Sequence, residues 1–218
     1  MTTTAPVPGG PNRSARQRLL DAANELFYEE GVHTVGIDRI IEQAGVAKAS
    51  LYNTFGSKEE LIDAYLAGRH ARTTARLTAA VEQHTDPVAR LYAVFDAQAE
   101  MLAQPNFRGC AFISASAEAP AGGLIEHAAD SYRADIRGLL TGLAADAGAR
   151  DPDTLGRQLH LIYDGASLSA RMDRDPSIAV PARAAVTALL QAALPPHDTS
   201  QQRQTRNLRT HNQSEEAG

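Results

Sequence analysis

The chain has 218 residues, 43% of them hydrophobic and 22% charged, with a formal net charge of −5. Those are globular proportions: they exclude wholesale disorder, and at about 150 residues per domain the length suits one domain or two small ones sharing a core. No uncharged stretch reaches the about 20 apolar residues of a membrane-spanning helix, residues 1–16 hold no apolar signal-peptide core, and the single cysteine, Cys110, has no internal disulfide partner. A cytoplasmic protein without membrane attachment is expected, and on an acidic chain any nucleic-acid contact has to come from a local patch.

Residues 1–12 are rich in Thr, Pro and Gly and read as a disordered arm. From about Ser14 to Glu30 a helix carries Leu19, Ala23, Leu26 and Phe27 on one stripe and stops at Gly31, a left-handed cap. A shorter helix follows with Ile37, Ile40, Ile41 and Ala44 and meets Gly45. The third, about Ala47 to Thr54, puts Leu51 and Phe55 four apart on an inward face. The fourth opens on Ser57-Lys58-Glu59-Glu60, a capping box in which serine oxygen and glutamate each satisfy an orphan amide, and continues through Leu61 and Tyr65.

Beyond residue 84 the periodicity predicts helices at about 87–103, 107–118, 122–148, 153–171 and 177–194, with prolines in the connections. Residues 195–218 hold one leucine and no other large apolar residue, so a disordered tail is expected. No alternating run of β-branched and aromatic residues interrupts this pattern, and the fold class is all-α. A shift toward alanine near residue 70 marks a second helical domain, giving units at 13–66 and 67–194.

Residues 37–55 are two short helices joined by a turn on Ala44-Gly45-Val46, which is the helix-turn-helix arrangement. Its second helix has to project from the body to enter a major groove about 12 Å wide while the first braces it. With Leu51 and Phe55 inward, Lys48, Ser50, Tyr52, Asn53 and Thr54 are free to face phosphates and base edges. Spacing alone leaves a plain helical hairpin as the alternative.

The residues Leu26-Phe27, Gly31, Ile37, Ile40, Ala44-Gly45-Val46, Leu51-Tyr52, Phe55 and Ser57-Lys58-Glu59-Glu60-Leu61 fall in one ungapped register. From about Ser14 to Leu66 the chain thereby resembles the N-terminal domain of TetR-family (tetracycline-repressor-like) transcriptional regulators. The resemblance implies that Lys48, Ser50, Tyr52 and Asn53 meet double-stranded operator DNA, with Thr54 beside them. It also implies a phosphate on Lys58 at the fourth helix's N-terminus and a further backbone contact at Thr34. Ala47 stands where the family often has serine, Val35 and Gly36 where it often has threonine, and Thr54 where it often has histidine; each departure removes or shortens a polar phosphate contact. Lys48 and Lys58 are the only lysines among 21 basic side chains, yet residues 13–60 hold six basic against eight acidic groups. A narrow positive ridge on an acidic body is expected.

The resemblance further implies that residues 67–194 form a ligand-binding and dimerisation domain, and that the protein is a homodimeric repressor released by a small molecule. The segments Phe107–Ile113 and Tyr163-Asp164-Gly165 look like those of one group of these regulators, from which no ligand follows. Physically, the scarce large residues of this half, among them Phe95, Met101, Phe107, Phe112, Tyr132, Tyr163 and Met172, with Cys110, Ser116, His160 and Asp164, can line a cavity for a partly hydrophobic effector, or simply pack the core. Small residues at Gly165, Ala166, Ser167, Ser169 and Ala170 suit close helix packing, within the chain or across a two-fold dimer. No catalytic triad order, phosphate-cradling glycine loop or metal-ligand set is present, so neither an enzyme nor a cofactor is expected. Two alternatives remain: a DNA-binding regulator without a small-molecule effector, and a thiol sensor acting through Cys110.

Overall fold

A computed structural model describes residues 13–117, 119 and 122–195; the expected disordered arm 1–12 and all but the first residue of the expected tail lie outside the described residues. Among the described residues the chain is all helical, in the order α1 (Ala15–Glu30), α2 (Ile37–Ala44), α3 (Lys48–Phe55), α4 (Lys58–Glu82), α5 (Pro87–Leu102), α6 (Ala111–Ser116), α7 (Leu124–Asp146), α8 (Pro152–Asp173), a 3₁₀ turn (Pro176–Ile178) and α9 (Ala179–Ala193). The all-α expectation holds, and no described helix is long and apolar enough to cross a membrane.

The helix starts follow local chemistry. Ser14 Oγ accepts the Gln17 amide at 3.2 Å, Ser57 Oγ the Glu60 amide at 3.1 Å, Asp86 the Ala89 amide at 2.7 Å and Asp151 the Thr154 amide at 3.0 Å. Each side chain satisfies an amide that the first helical turn leaves without a partner. Pro87 and Pro152 sit in the first turn, where a missing N–H costs nothing. By contrast, α2 and α3 start at Gly36 and Ala47 with no side-chain cap. Gly45 between them takes the left-handed conformation, φ 62° and ψ 43°, which glycine adopts at least cost. Gly31 also has positive φ, 94°, but with ψ 150° it is not the left-handed helical cap expected there.

The N-terminal helices close on α4. Leu19, Ala23, Leu26 and Phe27 of α1, Ile40 of α2 and Leu51 of α3 are buried against Leu61, Tyr65 and Leu66 of α4, with the Phe27 and Tyr65 rings edge to face at 5.5 Å. The 25 residues of α4 run about 37 Å without a break and carry Leu77 and Val81 into the core of the second half. The alanine shift near residue 70 therefore falls in mid-helix, and one hydrophobic core continues along α4 into α5, α7, α8 and α9.

Two expected helices are altered. The one predicted over 107–118 begins only at Ala111, because Gly109 has φ 96° and the backbone around it is engaged elsewhere. The Tyr28 hydroxyl of α1 accepts the Arg108 amide and donates to the Gly109 carbonyl, both at 3.0 Å. A Cβ at Gly109 would also lie 2.6 Å from Arg171 Cδ of α8. The helix predicted over 177–194 is split into the 3₁₀ turn, capped by Asp175 accepting the Ser177 amide at 2.8 Å, and α9.

Candidate nucleic-acid interface and ligand cavity

On α3, Leu51 is fully buried and Phe55 is half-buried under the Arg16 guanidinium, 5.2 Å from its ring centroid. The opposite face presents Lys48, Tyr52 and Asn53, all exposed, with Ser50 half-buried. Tyr52 is one of six large hydrophobic side chains exposed among the described residues, at 44%. Thr54 is half-buried, and its hydroxyl donates to the Ser50 carbonyl at 2.6 Å, so only its acceptor side remains available. Thr34 is exposed in the turn before α2.

The two lysines differ. Lys48 Nζ is 2.8 Å from Asp38 of α2, and that hydrogen-bonded carboxylate raises its pKa. The positive ridge expected from the sequence is thus locally neutralised at Lys48. Lys58, half-buried at the start of α4, rests its ammonium 3.5 Å from the His33 carbonyl; burial lowers its pKa, while Glu59 opposes the shift. Behind this face, Arg18 donates to the Gly45 carbonyl at 3.0 Å, tying α1 to the turn between α2 and α3.

The second feature is a cavity of about 290 Å³ where α1 meets the C-terminal helices. Of the residues singled out for ligand binding, Met101, Phe107, Cys110, Phe112, Tyr163 and Asp164 line it. Three others are elsewhere. Phe95 is buried behind Tyr163, ring centroids 6.3 Å apart, Ser116 is exposed at the end of α6, and His160 is buried one turn before Asp164, with Nε2 3.6 Å from that carboxylate. Met172, at 71% exposure, faces outward.

Part of the lining was not anticipated in this role: Asn24, Glu25, Tyr28 and Glu29 from α1, and Arg69, Arg72 and Arg76 from α4. Their signal was available in principle, since 69, 72 and 76 are spaced three and four apart on one helical face. Without the fold, an arginine stripe is indistinguishable from a solvated surface. The Arg69 guanidinium lies 3.6 Å over the Tyr28 ring, and Arg72 donates to the Asn24 side-chain oxygen at 2.7 Å. Deeper in, Tyr132 stacks on Phe112 with centroids 4.1 Å apart and planes 6° from parallel. Asp164 is held by Arg133 at 2.6 Å.

Burial sets the protonation states here. It raises the pKa of Tyr132 and of Tyr163, keeping both phenols protonated as donors, and raises the Cys110 thiol, which works against a reactive thiolate. It lowers the pKa of His160, with Asp164 opposing and Arg133 and Arg137 reinforcing the shift. Among the described residues no cluster of His, Cys, Asp and Glu is arranged to hold a metal ion.

Comparison with known proteins agrees with this fold. Residues 19–65 match the sequence model of the bacterial regulatory proteins of the tetR family. The chain is 35% identical to the crystal structure of SCO4454, a TetR-family transcriptional regulator from Streptomyces coelicolor, with a TM-score of 0.79 over 83% of this chain and 96% of that one. It is 38% identical over 87 residues to the transcriptional activator FasR of Mycolicibacterium smegmatis, covering 40% of each chain. With the transcriptional repressor KstR2 of Mycobacterium tuberculosis it shares 34% identity over 93 residues, 43% of this chain and 46% of that one. The match thus spans less than half the length of these two curated relatives.

Proposed function

Because the chain belongs to the TetR family of bacterial regulatory proteins, we propose that it is a homodimeric transcriptional repressor that binds a palindromic operator through α3 and is released when a small molecule fills the cavity beside α4. The observation that carries the reading is the shared wall of that cavity. Its lining comes from α1, which holds the turn before α3 through Arg18, and from α4, α7 and α8, which also build the core of the second half. A ligand that moves α4 against α1 tilts the recognition helix as well. A two-fold dimer reads half-sites about one helical turn apart, so a small tilt on each subunit takes the pair out of register with the groove.

The dimer surface is assigned to the outer faces of α8 and α9. Of the six large hydrophobic residues exposed among the described residues, Leu161, Leu168, Met172 and Val180 lie on these two helices or in their first turns. Gly165, also exposed, has open space around its Cβ position, which leaves room for a partner helix. On the DNA side, Lys48, Ser50, Tyr52, Asn53 and Thr54 of α3 contact the major groove, and Thr34 and Lys58 hold flanking phosphates.

The test begins with an operator selected from a random DNA pool. Ligand affinity is then titrated for the free protein and for the protein saturated with that operator. Coupling of about 1–3 kcal/mol, or about 5- to 150-fold, is expected, and linkage requires each partner to weaken the other equally. Equal ligand affinities in the two titrations would remove the release mechanism. In transcription with purified components the unliganded protein should lower output from a promoter carrying the operator; a rise would make it an activator.

A further inference from the structure

The cavity contains an imbalance that the proposed release mechanism does not use. Tyr163 is 3% exposed, and its hydroxyl makes no hydrogen bond of normal geometry among the described residues, although the Tyr132 and Arg76 side chains lie near it; the buried Nε atoms of Arg69 and Arg76 have no partner either. All three residues line the cavity. Leaving a buried donor unsatisfied typically costs about 1–3 kcal/mol, more when it is charged. Three of them around one hollow therefore mark a place where an acceptor belongs.

The charges point the same way. None of Arg69, Arg72 and Arg76 forms an ion pair among the described residues: Arg69 stacks on Tyr28, Arg72 is bound to an amide oxygen, and Arg76 donates to the Met101 sulfur at 3.3 Å and lies near the Tyr163 hydroxyl. Arginine does not deprotonate to escape, so the positive charge stays. Burial and the charge of Arg69 both lower the pKa of Arg72, with Tyr65 and Asp21 opposing, the sign of crowded cations. The carboxylates on the cavity wall do not neutralise the cluster. Asp164 is committed to Arg133, Glu25 accepts from Gln43 at 2.7 Å, and Glu25 and Glu29 are exposed at the α1 rim, where water screens them.

We propose that the cavity takes a small amphipathic monocarboxylate, its carboxylate bound by Arg76 and the Tyr163 hydroxyl with Arg69 alongside, and its apolar body against Met101, Phe107 and Phe112. The inference rests on the reading of this cavity as the effector site and adds the chemical class of the effector. A volume of about 290 Å³ holds about ten groups the size of water, which suits an acid of about ten non-hydrogen atoms and not a long acyl chain. The carboxylate also competes directly for the contacts that join α4 to α1, since Arg69 and Arg72 are the residues that hold Tyr28 and Asn24.

The experiment titrates the full-length protein with benzoate, phenylacetate and hexanoate, and with the three corresponding neutral amides, by calorimetry at fixed ionic strength. At least one acid should saturate and bind at least tenfold more tightly than its amide. In the variant Arg76→Gln that affinity should fall about ten- to hundredfold, the usual weight of a charge-assisted hydrogen bond. Tyr163→Phe removes a buried oxygen that has no hydrogen bond of normal geometry in the free protein, so its thermal midpoint should change little while acid affinity falls about tenfold. Amides that bind as well as acids, acids that all fail to bind, or acid affinity indifferent to Tyr163→Phe would each overturn the assignment. Operator binding is followed separately in the same preparations. Acids that bind without affecting operator affinity would leave the anion site standing and remove the release reading; neutral compounds that alone release the operator would do the reverse.

Discussion

At the level of single residues, the DNA face depends on what each charge is already doing. Lys58 has no carboxylate partner among the described residues, so Lys58→Ala should weaken binding to all sequences alike and reduce the slope of log affinity against log salt by about 0.9. Lys48 is paired with Asp38, and a phosphate has to displace that carboxylate. Asp38→Asn should accordingly tighten operator binding at low salt, a gain that fades as salt rises, measured by fluorescence anisotropy across a salt series. His160 gives a pH test in the other half of the molecule. Its folded pKa lies below the ordinary 6.5, so in the acid range the unfolded chain binds a proton that the folded one refuses. Stability is full above that value, begins to fall as pH drops through 6.5, and levels off below the folded pKa. Thermal midpoints of wild type and His160→Gln between pH 7.5 and 5 should show a smaller loss in the variant; parallel curves would refute the assignment. The groups that face His160, namely Asp164, Arg133 and Arg137, remain in both proteins.

At the level of helices, α2 and α3, which the proposed function sets against DNA, start without side-chain caps. Gly36 and Ala47 leave the first amides of α2 and α3 free, whereas α1 and α4 start on serines that bond back. Ala47→Ser should restore a cap to α3 and stabilise the fold by about 1 kcal/mol in denaturant unfolding. The packing of α7 on α8 is set by one glycine: a Cβ at Gly156 would lie 2.2 Å from Thr141 Oγ1 and 3.0 Å from its backbone N and Cα. Gly156→Ala should cost about 1–3 kcal/mol by forcing these helices apart. Gly142→Ala on α7 has nothing within 4 Å of its Cβ and should instead stabilise by up to about 1 kcal/mol through helix propensity. The pair separates steric contact from the general effect of removing glycine.

At the level of the whole molecule, operator recognition requires two recognition helices held at a fixed distance. The exposed apolar residues of α8 and the first turn of α9 are assigned to that task, with Leu161 69% and Val180 73% exposed. Replacing Leu161 and Met172 with glutamate should yield monomers in sedimentation experiments and should lose most operator affinity without changing the thermal midpoint of dilute protein by more than a few degrees. A dimer that survives both changes would move the interface elsewhere. In the proposed release mechanism α4, 25 residues long with core residues in both halves, is the element that carries a shift at the cavity to the N-terminal helices.

The amino-acid sequence by itself determined most of what depends on near neighbours in the chain, though not the 3₁₀ turn that Asp175 caps two residues away. The extent of α1, the start of α4 at its Ser57 cap and the place of the turn at Gly45 follow from 3.6-residue periodicity and terminal chemistry, both of which act within one or two turns, whereas the left-handed conformation expected at Gly31 is found at Gly45. The outward placement of Lys48, Tyr52 and Asn53 follows from the same periodicity once Leu51 is turned inward. What only the tertiary structure decided were pairings across distance. Tyr28, 80 residues away, takes up the Arg108 amide and delays α6; Asp38 neutralises Lys48; Phe95, Ser116 and His160 fall outside a cavity that Met101, Phe107 and Tyr163 do line. The arginines of α4 carry no sequence mark that separates them from surface residues. They line the proposed effector cavity because the fold sets α1 on one side of them and Tyr163 on the other, burying the Nε donors of Arg69 and Arg76 that an isolated helix would leave solvated.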